Sequence, residues 1–396
     1  MTADPWACAA ALVGLPGMTP VRLARLLAGR DPVEAWTALE AGAPGIDRRF
    51  AGATRGVEPG RVAERYRRAG IDVLLPGDDA YPARLVGDPG APAVLFAQGR
   101  PGTLAGRPSV AVVGTRSATP YGHQVAAELG RDLASAGVTV VSGLARGIDG
   151  AAHVGALQGA GTDPGPPVAV VGTGPDVVYP ASNATLWASV AERGAVLSES
   201  PLGTPPLPRA FPARNRIIAA LADVVVVVEC HHRGGSLHTA EAAARRGIPV
   251  GAVPGSVRSP ASRGTNGLLV DGCIPIRDAA DALVAVALAA GGRTAPAPVP
   301  QAGALVAARG RDRPGRGPHD DRPGRRPHDD GPSCPPPPAA GTPERAVLDA
   351  VDTEPTPVET VLLRTGLSVA AVAEAGHRLV ASGHLGSGAG WWSRRG

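Results

Sequence analysis

The stretch ADVVVVVEC, residues 222–230, decides the fold, because it sets five consecutive valines, Val224–Val228, between two polar segments. A run this short and this apolar is typical of a strand covered on both faces, as in the centre of a parallel sheet. Before it, PRAFPARNRIIAAL (208–221) is interpreted as a basic turn with one aromatic residue, followed by a helix. After it, HHRGGSLHTAEAAARRG (231–247) predicts a glycine-rich turn and a helix whose free N–H groups favour an anion. Together these features indicate a phosphate-bearing ligand.

Strands and helices alternate on both sides of the valine run. The strand candidates are Ser109–Gly114, Val138–Ser142, Val168–Gly172, Ala195–Ser198, Val224–Glu229 and Pro249–Val253. The helices between and after them are expected to begin near Thr119, Ile148, Asn183, Ala213, Gly235 and Arg277. This alternation predicts an α/β fold with a doubly wound parallel sheet, which binds ligands beyond the carboxyl ends of its strands.

The predicted strand ends are polar, rich in glycine and contain arginines. Arg116 and Arg146 follow two neighbouring strands, and Arg214 and Arg216 lie before the valine run. A single arginine there would most simply be a surface residue or a partner of a carboxylate such as Glu199. Several together favour phosphate contacts, because guanidinium groups bind phosphate with two parallel hydrogen bonds.

Phe211 stands within this basic segment and is one of only three phenylalanines in the chain. It could fill the core beside its two prolines. It could equally form a platform for a nucleic-acid base, because bases stack on aromatic rings in single-strand sites. We favour the second interpretation.

Composition divides the chain into four regions. Residues 1–75 show a helical pattern, and the segment Val13–Met18 resembles a helix–hairpin–helix unit, which can bind DNA phosphates; we favour a small helical bundle that only packs. Residues 76–292 contain the α/β pattern. Residues 293–341 are rich in Pro, Gly and Arg, with the repeat RPGRGPHDD and RPGRRPHDD, and are predicted to be a disordered linker. Residues 342–396 predict a winged-helix domain.

Charge and composition limit the possible functions. All 39 basic residues are Arg, so the usual phosphate-binding loop with its lysine is excluded. Residues 76–292 carry 16 Arg against 16 Asp and Glu, so any nucleic-acid site depends on a local patch. There is no G-x-G-x-x-G fingerprint, and the four cysteines are scattered without a zinc spacing. We therefore expect no cofactor and no metal, and a soluble cytoplasmic protein without membrane contact.

Several ungapped blocks occur together in a specific order: VAVVGTRSATPYG, VVSGLARGIDGAAH, VAVVGTGPDVVYP, FPARNRIIA and GGSLHTAEAA. In this order they resemble the DNA-processing protein A (DprA/Smf) family, over about residues 78–273. The resemblance implies an extended Rossmann-like domain between a small helical N-terminal domain and a C-terminal winged-helix domain. It also implies a non-enzymatic, homodimeric protein that binds single-stranded DNA in natural transformation and homologous recombination, protects it and helps to load the RecA recombinase.

The same resemblance implies which residues bind DNA. They belong to the GTR, GLARGID, FPARNR and GGS segments: Arg116, Gly143, Arg146, Phe211, Arg214, Asn215, Arg216, Gly235 and Ser236.

Two other functions remain open at the sequence level. The segment Gly234–Glu241 resembles a block of nucleoside-monophosphate phosphoribohydrolases, in which Glu241 would be the catalytic carboxylate. The proline that precedes the glycine pair in those enzymes is missing here, however. A purely structural adaptor that makes protein contacts through the winged domain is the third possibility, and it predicts no affinity for DNA.

Overall fold

The computed structural model describes residues 4–43, 47–50, 52–292, 337–352, 356–388 and 391–394. The proline- and arginine-rich repeat of the predicted linker lies outside these residues. Among the helices of the described ranges, none has the length and apolar character needed to span a bilayer.

Four helices open the chain, and each has proline at its first position, where the missing N–H costs no hydrogen bond. They are α1 (Pro5–Val13), α2 (Pro20–Leu27), α3 (Pro32–Glu40) and α4 (Pro59–Arg68). Asp4, Thr19 and Asp31 cap the first three by accepting hydrogen bonds from backbone N–H groups. These helices pack on one another through Leu12 and Trp36, as the helical pattern predicted.

The α/β part of the chain contains nine strands and seven helices in the ranges described. In chain order they are β1 (Ile71–Leu74), β2 (Leu95–Gly99), β3 (Ser109–Val113), α5 (Pro120–Ser135), β4 (Thr139–Ser142), α6 (Ile148–Leu157), β5 (Pro167–Val171), α7 (Ala184–Arg193), β6 (Ala195–Ser198), α8 (Ala210–Ala220), β7 (Val224–Val227), α9 (Leu237–Ala244), β8 (Val250–Ala252), α10 (Arg263–Val270), β9 (Ile274–Pro275) and α11 (Ala279–Gly292).

The nine strands form one sheet in the order β1-β2-β6-β5-β4-β3-β7-β8-β9. The seven strands from β6 to β9 run parallel, which confirms the doubly wound sheet. Three of the nine strands were not predicted: β9 at one edge, and β1 and β2 at the other side, where β1 pairs with β2 and β2 with β6 in antiparallel fashion. After β3, the strands β4, β5 and β6 are added in turn on one side of it, and β7 is then added on its other side. The switch point of the topology therefore lies between β3 and β7, where open α/β sheets bind ligands.

The valine run confirms its prediction residue by residue. Val224 and Val226 pack into the apolar cluster on one face of the sheet, and Val225 and Val227 into the cluster on the other. All four side chains are fully buried. Alternation along a strand thus places each valine in a core, and β7 is fixed in the centre of the sheet.

The C-terminal region has the winged-helix arrangement. It consists of α12 (Pro343–Ala350), β10 (Thr356–Pro357), α13 (Val358–Thr365), α14 (Val369–Ala381), β11 (Leu385–Gly388) and β12 (Trp391–Arg394). Its three strands form an antiparallel sheet in the order β10-β12-β11. Helix α14 packs against α11, and Val369 joins the same apolar cluster as Val286 of that helix.

Candidate nucleic-acid interface

A cavity of about 500 Å³ opens at the carboxyl ends of β3 and β7, at the switch point of the sheet. Residues that follow β3, the first turn of α8 and the turn before α9 form its walls. Six of the nine predicted site residues line it: Arg116, Phe211, Arg214, Asn215, Gly235 and Ser236. These six residues come from three separate segments of the sequence, and the fold brings them together at one cavity.

One wall of the cavity combines an aromatic ring with a guanidinium group. The guanidinium carbon of Arg116 lies 4.7 Å from the centre of the Phe211 ring, which is cation–π geometry. Tyr179 packs on Phe211 with ring centroids 5.5 Å apart. Arg116 is exposed, and Phe211 is partly exposed to the cavity. The wall thus offers an aromatic face and a positive charge to the same ligand.

Phe211 lies in a helix, and the prediction that it belongs to a turn before the helix is wrong. Helix α8 begins at Ala210, three residues before the expected start at Ala213. Pro212 occupies the first turn, where its backbone nitrogen has no hydrogen bond to lose. The two cavity residues Phe211 and Asn215 are consequently four residues apart on one helix face.

Arg214 is the buried cation of the site, with 6% of its surface exposed. Its guanidinium group donates to the carbonyl oxygen of Val170 and lies 4.0 Å from the carboxylate of Asp149. Gly143 makes room for it, because a Cβ atom there would collide with the guanidinium nitrogens. Burial lowers the pKa of Arg214 to about 10, so the group stays charged at neutral pH.

Asp149 is a site residue that the sequence analysis missed. It lines the cavity at the start of α6, and the backbone N–H groups of Gly114 and Gly143 donate to its carboxylate. Burial raises the pKa of Asp149, against the opposing effect of the neighbouring Arg214 charge. Its position in the GLARGID segment, at the start of a helix, was the only sequence signal. The carboxylate orients and partly neutralises Arg214.

His153 lies one turn after Asp149 on α6 and is fully buried. Burial, reinforced by the nearby positive charge of Arg214, lowers the pKa of His153 to about 3. The imidazole is therefore neutral at neutral pH, and Arg214 is the cation of this buried cluster.

The glycine-rich turn closes the other side of the cavity, but its helix start is less open than predicted. Asn215 donates through its side-chain amide to the Gly235 carbonyl oxygen at 3.3 Å. The N–H groups of Leu237 and His238 already donate to carbonyl oxygens within the turn. Ser236 is buried, with its hydroxyl beside the thiol of Cys230. The turn shapes the cavity wall, whereas two of the N–H groups expected to be free are occupied.

The remaining predicted residues lie outside the cavity lining. Gly143 lies beneath Arg214, where a residue with a Cβ atom would collide with the guanidinium group. Arg146 is exposed in the turn before α6 and makes no ion pair with a described residue. Arg216 instead donates to the carboxylate of Glu199 at 2.5 Å. The sequence analysis considered Glu199 as a carboxylate partner for Arg116 or Arg146, but in the structure it pairs with Arg216.

Glu241 does not reach the cavity. Its side chain is 55% exposed on α9 and forms an ion pair of 2.6 Å with Arg245. A catalytic carboxylate must be within hydrogen-bonding reach of the bond that it cleaves. The arrangement therefore does not suit the phosphoribohydrolase interpretation. Across the described ranges there is also no cluster of His, Cys, Asp or Glu that could hold a metal ion.

Comparisons with known proteins show which family the chain resembles. The family model described as DNA recombination-mediator protein A matches residues 72–287, and the model for a DprA winged helix domain matches residues 331–375. The DNA processing protein DprA of Bacillus subtilis is 38% identical over 221 residues, which cover 56% of this chain and 73% of that protein. Protein Smf of Escherichia coli is 42% identical over 207 residues, and this match spans 52% of the chain and only about half, 54%, of that relative's length.

A solved structure shows the same fold. The X-ray structure of DNA processing protein A from Streptococcus pneumoniae superposes with a TM-score of 0.56 at 32% sequence identity. The match covers 72% of this chain and 98% of the other.

Proposed function

The chain belongs to the DprA/Smf family of DNA-processing proteins, and we infer from this membership and from the switch-point cavity that it binds single-stranded DNA in DNA uptake and homologous recombination. The observation that carries the proposal is the Arg116 guanidinium 4.7 Å from the centre of the Phe211 ring in a cavity at the sheet edge. A ring for a base and a cation for a phosphate are the two elements of a single-strand site.

The form of the site favours an unpaired strand over a duplex. A cavity of about 500 Å³ has the size of a small-molecule pocket, so it admits an extruded nucleotide. Bases in a duplex are stacked on each other, and their faces are not available to Phe211. Bases in a single strand are free to leave the stack and lie on an aromatic side chain.

The exposed arginines supply the electrostatic contribution. Arg116 and Arg146 form no ion pair within the described part of the chain, so their charge is available to phosphates. Arg214 acts differently, because Asp149 already balances much of its charge and burial limits its reach. We expect two phosphate contacts from the exposed pair and a fixed hydrogen-bond donor from Arg214.

We further propose that the protein is not an enzyme, that it acts in the cytoplasm as a homodimer, and that it helps to load RecA. The position of Glu241 outside the cavity supports the first statement. The homodimeric state, the RecA partnership and the cytoplasmic location depend on the family resemblance.

Fluorescence anisotropy of a labelled oligo-dT against salt concentration tests the proposal. We expect strong binding at low salt and a linear fall of log affinity with log salt. The double variant Arg116→Ala, Arg146→Ala should reduce the slope by about 1.4, because each phosphate of a single strand that is no longer neutralised accounts for roughly 0.7.

The matched control is Arg131→Ala. Arg131 is exposed near the C-terminal end of α5, outside the cavity lining, and pairs with Asp132. This variant should bind like the unmodified chain. Absence of oligo-dT binding at low salt, or equal slopes in the double variant and the control, would show that the site does not bind DNA.

A further inference from the structure

A second cavity, of about 480 Å³, lies on the other side of the α8 start from the switch-point cavity. The hairpin between α1 and α2 forms one wall through Leu15 and Met18, and Val171 at the end of β5 contributes to the opposite wall. Its volume falls within the usual range for ligand pockets. The hairpin that resembled a DNA-backbone binder in the sequence is therefore a wall of this cavity.

Two groups of opposite charge line the second cavity without pairing with each other. Arg209, just before α8, is exposed and forms no ion pair with a described residue. Glu199 is largely buried, with its side chain 16% exposed, and only its Oε1 accepts from Arg216. Its Oε2 has no hydrogen-bond partner among the described residues. The cavity thus offers a free cation and a free acceptor, which suits a ligand with an anionic end and a donor end.

The second cavity is adjacent to the proposed DNA path. Arg214 lines both cavities, and Arg209 and Phe211, which face different cavities, are only two residues apart at the start of α8. The start of α8 forms the partition between the two cavities. A strand stacked on Phe211 therefore has its neighbouring nucleotide within reach of Arg209.

We propose that the second cavity binds a guanine nucleotide, with its base between the apolar walls, its Watson–Crick edge on Glu199 and its phosphate on Arg209. Guanine presents two adjacent donors, N1–H and the N2 amino group, which match Oε2 and the second lone pair of Oε1, the oxygen that also accepts from Arg216. Adenine has one such donor beside an acceptor, and thymine has one N–H between two carbonyl oxygens. Both would direct an acceptor at the carboxylate, which is unfavourable.

This inference rests on the proposed function, because the nucleotide is expected to be part of the bound strand. Free deoxyguanosine monophosphate carries the same base and phosphate as a guanine nucleotide of the bound strand. The test therefore has to distinguish the free nucleotide from the strand. It compares oligo-dT with the same oligonucleotide carrying one central guanine, using anisotropy with the full chain. We expect the guanine oligonucleotide to bind at least tenfold more tightly.

Two variants locate the preference. Glu199→Gln should reduce the ratio of the two dissociation constants to below about twofold, because an amide replaces one acceptor oxygen with a donor. Met18→Trp should fill the cavity and also remove the preference, and it decides the question if Glu199→Gln does not fold. Val21→Trp is the matched control, because Val21 is 61% exposed on α2 and lies outside the cavity lining.

Competition with free nucleotides identifies the source. Displacement of the guanine oligonucleotide by deoxyguanosine monophosphate, but not by thymidine monophosphate, would show that the free nucleotide also binds. A preference that persists without such displacement would assign the guanine to the strand. Equal affinities for the two oligonucleotides, or a ratio unchanged in both Glu199→Gln and Met18→Trp, would overturn the inference. Failure to bind oligo-dT would instead refute the proposed function.

Discussion

Replacing Phe211 by alanine should weaken DNA binding while leaving its salt dependence nearly unchanged. The ring is partly exposed in the switch-point cavity and is the only phenylalanine among the residues that line it. Its removal deletes a surface for a base and no charge. Arg116, whose guanidinium carbon lies 4.7 Å from the ring centre, keeps its charge in this variant.

The magnitude follows from the two interactions of the ring. Loss of stacking costs about 1–3 kcal/mol per base, which corresponds to a rise in Kd of about 5- to 150-fold. The exposed cation–π interaction with Arg116 contributes about 0.5–1 kcal/mol. A double-mutant cycle between Arg116→Ala and Phe211→Ala, measured on the free energy of unfolding, should therefore show a coupling of this size.

The assay is the anisotropy of labelled oligo-dT at a series of salt concentrations. Phe211→Tyr should bind within about twofold of the unmodified chain, because the aromatic face is kept. Phe211→Leu should resemble Phe211→Ala, since it restores apolar volume without a flat ring for a base. Together these two variants separate stacking from simple filling of the cavity.

Two results would refute this reasoning. If Phe211→Ala lowers the salt slope as much as Arg116→Ala does, then the ring acts mainly by holding phosphate-binding groups in place. If Phe211→Leu binds as well as Phe211→Tyr, then no base stacks on the ring and its role is to pack against Tyr179.

Three further predictions concern the surroundings of the site. The pKa of His153 is near 6.5 in the unfolded chain and about 3 in the folded protein, so its contribution to stability is present above pH 6.5 and is lost as the pH falls. The free energy of unfolding, measured in urea, should therefore drop by about 2 kcal/mol between pH 6.5 and 5. The variant His153→Leu should lack that drop. Asp149→Asn should lower the free energy of unfolding by about 3 kcal/mol, because it leaves the buried Arg214 charge without its partner. This value is at the low end for a broken buried ion pair, since the two groups are 4.0 Å apart. An unchanged urea midpoint would contradict the prediction. Glu241→Gln should leave oligo-dT affinity unchanged, and neither it nor the unmodified chain should release adenine from AMP in a chromatographic assay; turnover abolished by the substitution would restore the enzyme interpretation.

The sequence predicted the central sheet well because its signals are local. Five valines in a row specify a strand with two buried faces, and Val224–Val227 alternate between two apolar clusters as expected. The strands β1 and β2 were missed because their pairing depends on partners distant in the sequence, and β9 was missed because it has only two residues. Leu95 and Phe96 are fully buried, yet they carry no alternating pattern that would distinguish a strand from a buried loop.

The sequence predicted six of the residues that line the cavity, but it missed Asp149 and the internal contacts of the site. Asp149 and Arg214 are 65 residues apart, so no spacing rule reveals their pairing. The partner of Glu199 depends equally on how α8 is oriented over the sheet. The start of α8 was placed too late because the segment with Phe211 and Pro212 was interpreted as a turn, although the first helical turn accommodates proline.

The packing of α14 on α11 has a practical consequence for handling the protein. Helix α11 has an apolar sequence, and Val284 and Ala287 pack against the C-terminal cluster. Shortened versions that lack the last domain would leave this flank uncovered in water, and they should be prone to self-association. Substituting polar side chains at these two positions is the appropriate remedy before a truncated chain is used for binding measurements.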